Sequence, residues 1–365
     1  MDHWKTKTLV LALVFSLIFL VPLSPQAETR ELEGVLERKG IPFLEAYPDN
    51  PLVPGESPTT GLMWEGIYAP VLVVIDNAEN AHPHWGVKDA DILYQMPNAG
   101  QGATKLLALF SDTAPAAAGG SRSARPPFVD AAIGWGAAFA FAGSPGEDVA
   151  DKANVPLKLR QAGMRRNMLA FDLLSNNDYS ERIQGYQGGH NLSVNIARIR
   201  ELALQNGAAF SPRPFLFTDT EPEGYASAGR IETRHYGEAI GKGDGNPASF
   251  STFTLDPGEK TWHRENTVGP YVDRDAPGVP IPFANVIIQR VKLTYASGVI
   301  LTDHAVGRGA ADIFIGGRYI PGGWYRSGLD SRTVFVDEKG EEIRLMRGKT
   351  FIIMTNDVTR VSVSP

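Results

Sequence analysis

The sequence predicts an α+β fold: an N-terminal α/β domain on a mixed sheet, followed by a smaller, mainly β C-terminal domain. Three observations carry this. Pro70–Asp76, reading PVLVVID, is a continuous β-branched run of the kind expected of a strand buried on both faces. Two segments with helix signals, one opening at Pro126-Pro127 and one stopped by Gly207, are interleaved with further apolar, strand-like runs. From Phe215 onward the texture changes to short alternating segments such as FSTFTL, NVIIQRVKL, ADIFIG and TFIIMT, joined by Gly-, Pro- and Asp-rich turns. The expected division is 1–27 as a signal peptide or N-terminal anchor, 28–66 as a linker, 67–212 as the α/β domain and 213–365 as the β-rich domain.

Lys5 and Lys7 precede an apolar run from Leu9 to Leu23, and Ser24-Pro25-Gln26-Ala27 ends on a small residue, the layout of an export signal. The run is long for a signal's apolar core and short for a membrane span. A cleaved signal and an uncleaved anchor therefore both stand. Arg30–Lys39 has a short charged helical pattern, and Tyr47–Pro58, with four prolines, reads as extended chain. A strand then ends at Asp76-Asn77, a helical turn falls near Val87–Ala90, and strands follow at Ile92–Gln95 and Lys105–Phe110. Pro126 and Pro127 suit the first turn of a short helix that Gly134 and Gly136 stop, and AAFAFAG gives the next strand. A helix is expected over Asn191–Gln205, with Val194, Ile196, Ile199, Leu202 and Leu204 as its apolar set. In the β-rich half, Val336–Glu341 reads as a hairpin turn.

Composition excludes several classes. A chain of 365 residues, 43% hydrophobic and 21% charged, holds enough material for two ordinary domains. A net charge of −6 argues against nucleic-acid binding through bulk electrostatics. The chain has no cysteine, which removes disulfides, thiolate metal sites, cysteine nucleophiles and a lipidated N-terminal cysteine. The expected localisation is thus exported and extracytoplasmic, periplasmic or at the cell surface, and not that of a lipoprotein. Membrane contact is expected only through the N-terminal segment, if uncleaved.

The strongest candidate site is Gly119–Asp130, GGSRSARPPFVD. A Gly/Ser turn entering a helix offers backbone N–H groups to an anion, and Ser121, Arg122, Ser123 and Arg125 add hydroxyls and forked guanidinium donors. Arg122 and Arg125, three apart, would share a face on a helical turn. The competing reading is that they form internal ion pairs with Asp76, Asp130 or Asp172. Asp76 and Asn77 stand at a strand terminus, where open α/β sheets place ligands, although both residues also cap turns. His190, with Asn191 beside it, is placed for acid–base chemistry or anion binding, or for a local cap hydrogen bond. His82-Pro83-His84 lacks a third metal ligand at useful spacing and reads as a solvated loop; no metal and no cofactor are expected. The G-x-S-x-G elbow and the G-x-x-x-x-G-K-[ST] loop are both absent. Trp262, Trp324, Tyr271 and Tyr325 suit either core packing or a carbohydrate groove.

Together the motifs resemble the YerB-like family, whose domain has no assigned function. The likeness runs from TTGL at Thr59–Leu62 through VVIDNAENAHPHWG, ADILYQMPNAGQGATKLLALF and GGSRSARPPFVD to GHNL at Gly189–Leu192. It resumes with FANVIIQ at Phe283–Gln289, GGWYRS at Gly322–Ser327 and GKTFII at Gly348–Ile353, covering most of residues 59–355. The resemblance implies a two-part fold with no activity attached, and relatives that are often lipoproteins. It also implies an acid where Gln95 stands and an arginine where Lys105 stands, two departures in this chain.

Three readings follow. One is an uncharacterised envelope protein that binds an anionic small molecule, a glycan or a partner protein through the SRSAR loop. Another is an extracytoplasmic hydrolase or transferase acting on a phosphorylated or glycan substrate, with Arg122 and Arg125 stabilising charge and His190 or Asp76 handling protons. The third is a structural module whose polar motifs lock the two halves together.

Overall fold

The computed structural model describes residues 28–98, 103–235, 249–302 and 306–365. Its backbone is mainly strand, with three α-helices among the described residues: α1 (Pro126–Trp135), α2 (Val155–Gln161) and α3 (Ile196–Gln205). The central sheet takes eleven strands from both halves of the chain. They are β1 (Val71–Asp76), β2 (Ile92–Pro97), β3 (Thr104–Phe110), β4 (Ala138–Phe141), β5 (Ala170–Asp172) and β6 (Ala226–Ser227), then β7 (Asn285–Arg290), β8 (Gly307–Ile315), β9 (Arg318–Arg326), β10 (Val334–Val336) and β11 (Thr350–Thr355). The order across the sheet is β6-β9-β8-β7-β11-β2-β3-β1-β4-β5, with β10 beside β9. It is a mixed sheet: β3 runs antiparallel to β1 and β2, whereas β4 is parallel to β1 and β11 is parallel to both β2 and β7.

Side chains alternate across a strand, so a strand covered on both faces must be apolar throughout. In β1, Val71, Val73 and Ile75 enter one core and Leu72 and Val74 the other. The same split separates Phe351 and Ile353 from Ile352 and Met354 in β11. On one face α3 contributes Ile196, Ile199 and Ala203. A seven-stranded sheet that includes Arg230–Arg234, Ser251–Asp256, Thr261–Asn266 and Arg360–Ser364 covers the same face further along. There the Phe253 and Phe351 rings lie 5.1 Å apart, and Trp262 meets Phe314 edge-on at 6.1 Å. On the other face, Phe128, Val129 and Ala132 of α1 and Val155 and Leu159 of α2 join Leu72, Val74, Leu107 and Leu109.

Several elements differ from the sequence reading. Arg30–Lys39 forms no helix; Arg30–Glu31 pairs as a strand with Arg360–Ser364, and Leu32 N–H donates to Val361. A ten-residue helix is marginal alone, so a free sheet edge outcompetes it. Leu192–Val194 is likewise a strand, paired with Ala118–Gly119 and Ser180–Arg182. Helix α3 starts only at Ile196, where the Asn195 side chain caps the Arg198 N–H at 2.9 Å. Gly134 lies inside α1, where a Cβ would stand 2.7 Å from the Arg326 guanidinium; Gly136, with φ of 59°, ends the helix. After the turn at 337–341 the returning chain makes one bridge, Val336 to Glu342, and then Arg344–Met346 pairs in parallel with Leu216–Thr218.

The segment 28–66 is bound along much of its length. Arg38 reaches the buried Asp312 at 2.9 Å, Tyr47 donates to the Gly340 carbonyl at 2.9 Å, and Ser57 donates to Asp112 at 2.6 Å. Thr59 and Thr60 hydroxyls donate to Asp91 and Asp112, fastening the TTGL turn beside β11. Burial and the like charge of Asp112 push the Asp91 carboxyl up to about 7, against the pull of backbone N–H donors from Ser111 and Asp112. The proton is therefore held more tightly in the folded state than in the unfolded one. Stability tied to Asp91 is fully present below about pH 4 and is lost as pH rises towards about 7. Thermal unfolding midpoints are expected to fall across that window in the wild-type protein and to fall less in Asp91→Asn; parallel profiles would refute the assignment.

Candidate functional site

The SRSAR loop is laid between two strands by its own backbone. Asp76 N–H donates to the Gly120 carbonyl at 2.9 Å, Arg122 N–H to Val74 at 3.1 Å, and Ser121 N–H to Leu192 at 2.8 Å. The fit is close: a Cβ on Gly120 would stand 2.1 Å from the His190 carbonyl oxygen. This lacing brings Arg122 from the loop, and His190 from the turn before Leu192–Val194, onto the carboxylate at the tip of β1.

Asp76 is the centre of the cluster. Its Oδ2 accepts from Arg122 Nε at 2.6 Å and from His190 Nδ1 at 2.8 Å. Its Oδ1 accepts from the Asn77 N–H at 2.8 Å and the Ala78 N–H at 3.2 Å, with Lys105 Nζ at 3.5 Å. Lys105 stands there because antiparallel pairing of β1 and β3 sets it opposite Asp76. Burial alone would raise the Asp76 carboxyl; the charges of Lys105, Arg122 and His190 and the Arg122 hydrogen bond outweigh it and hold it well below the usual range. Burial lowers Lys105, as do Arg125 and Arg122, against the pull of Asp76. Arg122 keeps 30% of its side chain exposed, compared with 8% for Asp76. A second nitrogen of Arg122, Nη2, donates to the Gly188 carbonyl at 3.0 Å.

The other expected site residues fall in different places. Asn77 adjoins the cluster, bonded to Thr104 at 2.9 Å and to His82 at 3.3 Å. Ser121 spends its hydroxyl on the Val74 carbonyl at 2.9 Å, and Ser123 is half-buried in the same turn. Asn191 braces its own loop, accepting from Arg182 at 2.8 Å and donating to Ile183 at 3.2 Å. Arg122 and Arg125 do not share a helical face, because α1 begins only at Pro126 and Arg125 has extended backbone at its N-cap. Arg125 is half-buried, donates to the Ala124 carbonyl at 2.8 Å and has no carboxylate partner among the described residues. Of the ion pairs considered, Arg122–Asp76 forms, whereas Asp130 pairs with Lys158 at 2.7 Å. Asp172 accepts the Gly143 N–H at 3.1 Å.

His82-Pro83-His84 is not a solvated loop. His84 is fully buried with Nδ1 at 3.1 Å from the Tyr271 hydroxyl, because the seven-stranded sheet packs over it. Burial pulls the His84 imidazole down to about 4, so it is neutral at pH 7. Trp262, Trp324 and Tyr271 are core residues, and Tyr325 is half-exposed with its hydroxyl on the Glu45 carbonyl. Lys105 and the 184–187 stretch were missed as site elements. A lysine at the head of the apolar run KLLALF was the available signal for the first; nothing local marks the second.

Comparison with known proteins agrees with this layout. Residues 59–209 match the N-terminal domain, and residues 244–352 the C-terminal domain, of a family described as a protein of unknown function, DUF3048. A Bacillus subtilis (strain 168) protein named "Putative lipoprotein YerB" is 27% identical over 321 residues, covering 85% of this chain and 88% of its own length. The crystal structure of the YerB protein from Bacillus subtilis superposes with a TM-score of 0.67 at 24% identity, covering 84% of this chain and 99% of that one. The chain belongs to the YerB-like family of two-part DUF3048 proteins.

The localisation read from residues 1–27 is corrected here. The matched relative carries a lipoprotein name, while this chain has no cysteine to bear a lipid, so its relatives do not support the expected exported, lipid-free state. Residues 1–27 lie outside the described residues, and among those described no helix is long and apolar enough to cross a membrane.

The depressed carboxyl of Asp76 gives a signed expectation. Stability tied to it is present above about pH 4 and lost as pH falls below that value. Wild-type protein is expected to lose stability below about pH 4 more steeply than Asp76→Asn, as read from urea midpoints; equal slopes would remove Asp76 as the electrostatic centre.

Proposed function

We propose that this protein binds a small anion, a phosphate or carboxylate group, on Arg122, Arg125 and Lys105 at the tip of β1. The observation that carries the reading is a charge imbalance: Lys105 and Arg122 share the one carboxylate of Asp76, and Arg125, near enough to lower Lys105, has no acidic partner among the described residues. A desolvated guanidinium held only by a carbonyl favours an incoming anion, and its planar fork suits two oxygens at once. Asp76 orients Arg122 through Nε and the Gly188 carbonyl takes Nη2, so Nη1 is the nitrogen that remains for a ligand. The same atoms support a structural lock through Arg122–Asp76, but that pairing leaves Arg125 unexplained.

A second reading, a hydrolase or transferase acting on a phosphorylated substrate, is favoured by one specific contact. With Asp76 accepting from His190 Nδ1 at 2.8 Å, that nitrogen carries the proton, and the opposite ring nitrogen, 3.4 Å from Arg122 Nη2, is the one left to take a proton from a ligand that displaces this contact. At Nδ1 the approach of Arg122 Nη2 is donor against donor, so Arg122 can donate to the ring only at the opposite nitrogen.

Thermal-shift titration of the full chain with phosphate, pyrophosphate and simple carboxylates tests the binding reading. A ligand at 100 times its Kd is expected to stabilise by about 2.7 kcal/mol. Arg122→Ala is expected to weaken binding about ten- to a hundredfold, the loss of a charge-assisted hydrogen bond. Arg125→Glu is expected to abolish binding while keeping a cooperative thermal transition. Absence of a shift with every anion, or loss of that transition in Arg125→Glu, would instead support a structural role. Turnover of a phosphorylated substrate that is lost in His190→Ala would decide for the enzyme.

A further inference from the structure

Beside the cation cluster lies an open groove of about 340 Å³, lined chiefly by Asn80, His82, Gln184, Tyr186, Gln187 and Arg274. Two short stretches of chain build both places. Gln184, Tyr186 and Gln187 belong to the loop whose Gly188 carbonyl receives Arg122 and whose His190 meets Asp76. On the opposite wall, His82 bonds Asn77, the residue next to Asp76. A ligand held by an anionic group at Arg122 would therefore extend into this groove.

The lining has a definite chemistry. Tyr186 packs against the buried Trp85 ring at 4.8 Å, tilted by 44°, and its hydroxyl is committed to the Pro83 carbonyl at 2.5 Å, so what it offers is a fixed aromatic ring. Arg274 lies 5.1 Å over the same Trp85 ring and is paired with Asp275 at 3.0 Å. The side-chain amides of Asn80, Gln184 and Gln187 have no partner within the protein among the described residues. Each amide presents a donor and an acceptor together, which matches vicinal hydroxyls. No carboxylate lines the groove among the described residues. An aromatic face flanked by amides, of small-molecule size, suits a pyranose ring better than an apolar or a cationic group.

We propose that the ligand is a phosphorylated sugar, its phosphate on the Arg122, Arg125 and Lys105 cluster and its ring against Tyr186 in the adjoining groove. This rests on the anion reading above and adds to it the group that bears the charge. Burial, with the Arg264 charge adding to it, lowers the His82 imidazole, so the groove's histidine is neutral and does not attract a second anion.

Isothermal titration of the full chain separates the two inferences. The probes are inorganic phosphate, glycerol phosphate, hexose 1-phosphate, hexose 6-phosphate and the free hexose. A hexose phosphate is expected to bind at least about tenfold tighter than inorganic or glycerol phosphate, a gain of about 1.4 kcal/mol. Tyr186→Ala is expected to erase that preference and leave phosphate affinity unchanged, whereas Arg122→Ala weakens both. Gln187→Ala, at an exposed loop position, serves the same purpose if Tyr186→Ala does not fold. Equal binding of phosphate and hexose phosphate, or an equal loss of both in the groove variants, overturns the sugar assignment alone. No binding by any phosphate overturns this proposal, and the anion reading falls with it if simple carboxylates also fail to bind.

Discussion

The parallel pairing of Thr350–Thr355 with both Ile92–Pro97 and Asn285–Arg290 is the constraint on which the rest of the architecture depends. It inserts a C-terminal strand into the middle of the sheet and makes the two halves of the chain one hydrogen-bonded surface. Parallel neighbours demand cover on both faces, and the sequence supplies it with the helices α1 and α2 on one side and α3 and the seven-stranded sheet on the other. The segments matching the two family domains, 59–209 and 244–352, thus meet strand to strand.

Where the seven-stranded sheet closes over the N-terminal strands, the contact is polar. Gln95 donates to the Ser249 carbonyl at 2.6 Å and accepts from Ser251 at 3.0 Å, while Thr104 donates to Ser249 at 2.8 Å. Arg264 lies fully buried here, between the Tyr271 and Phe351 rings, with hydrogen bonds to Ser251 and Gln95 and no carboxylate among the described residues. Desolvation lowers it to about 10, which still leaves it charged at neutral pH. An acid at position 95, the residue the family resemblance implies, would face this guanidinium; the amide in this chain solvates it without neutralising it.

The same closure explains the electrostatics at the tip of β1. A single buried carboxylate is costly unless paired, and Asp76 is paired on both oxygens. Lys105 and Arg122 are both spent on Asp76, and Arg125 has no carboxylate partner among the described residues.

Much of this was legible in the sequence where the cause is local. The run VLVVID was visible as a doubly buried strand because alternation fails in it, KLLALF was visible as a strand, and Pro126 and Gly136 bracket α1 because their backbone preferences act on single residues. Asp76, Arg122 and His190 were each singled out by local chemistry, a strand terminus, a Gly/Ser turn and a polar turn before an apolar run. Their convergence was not legible, since it depends on Gly120, Ser121 and Leu192 hydrogen bonds between segments about 70 residues apart in the chain. The strand at Arg30–Glu31, the strand at Leu192–Val194 and the burial of His84 escaped for the same reason. Their conformations are imposed by partners distant in sequence, whose edge pairing or packing outweighs the few tenths of a kcal/mol per residue that intrinsic propensity contributes.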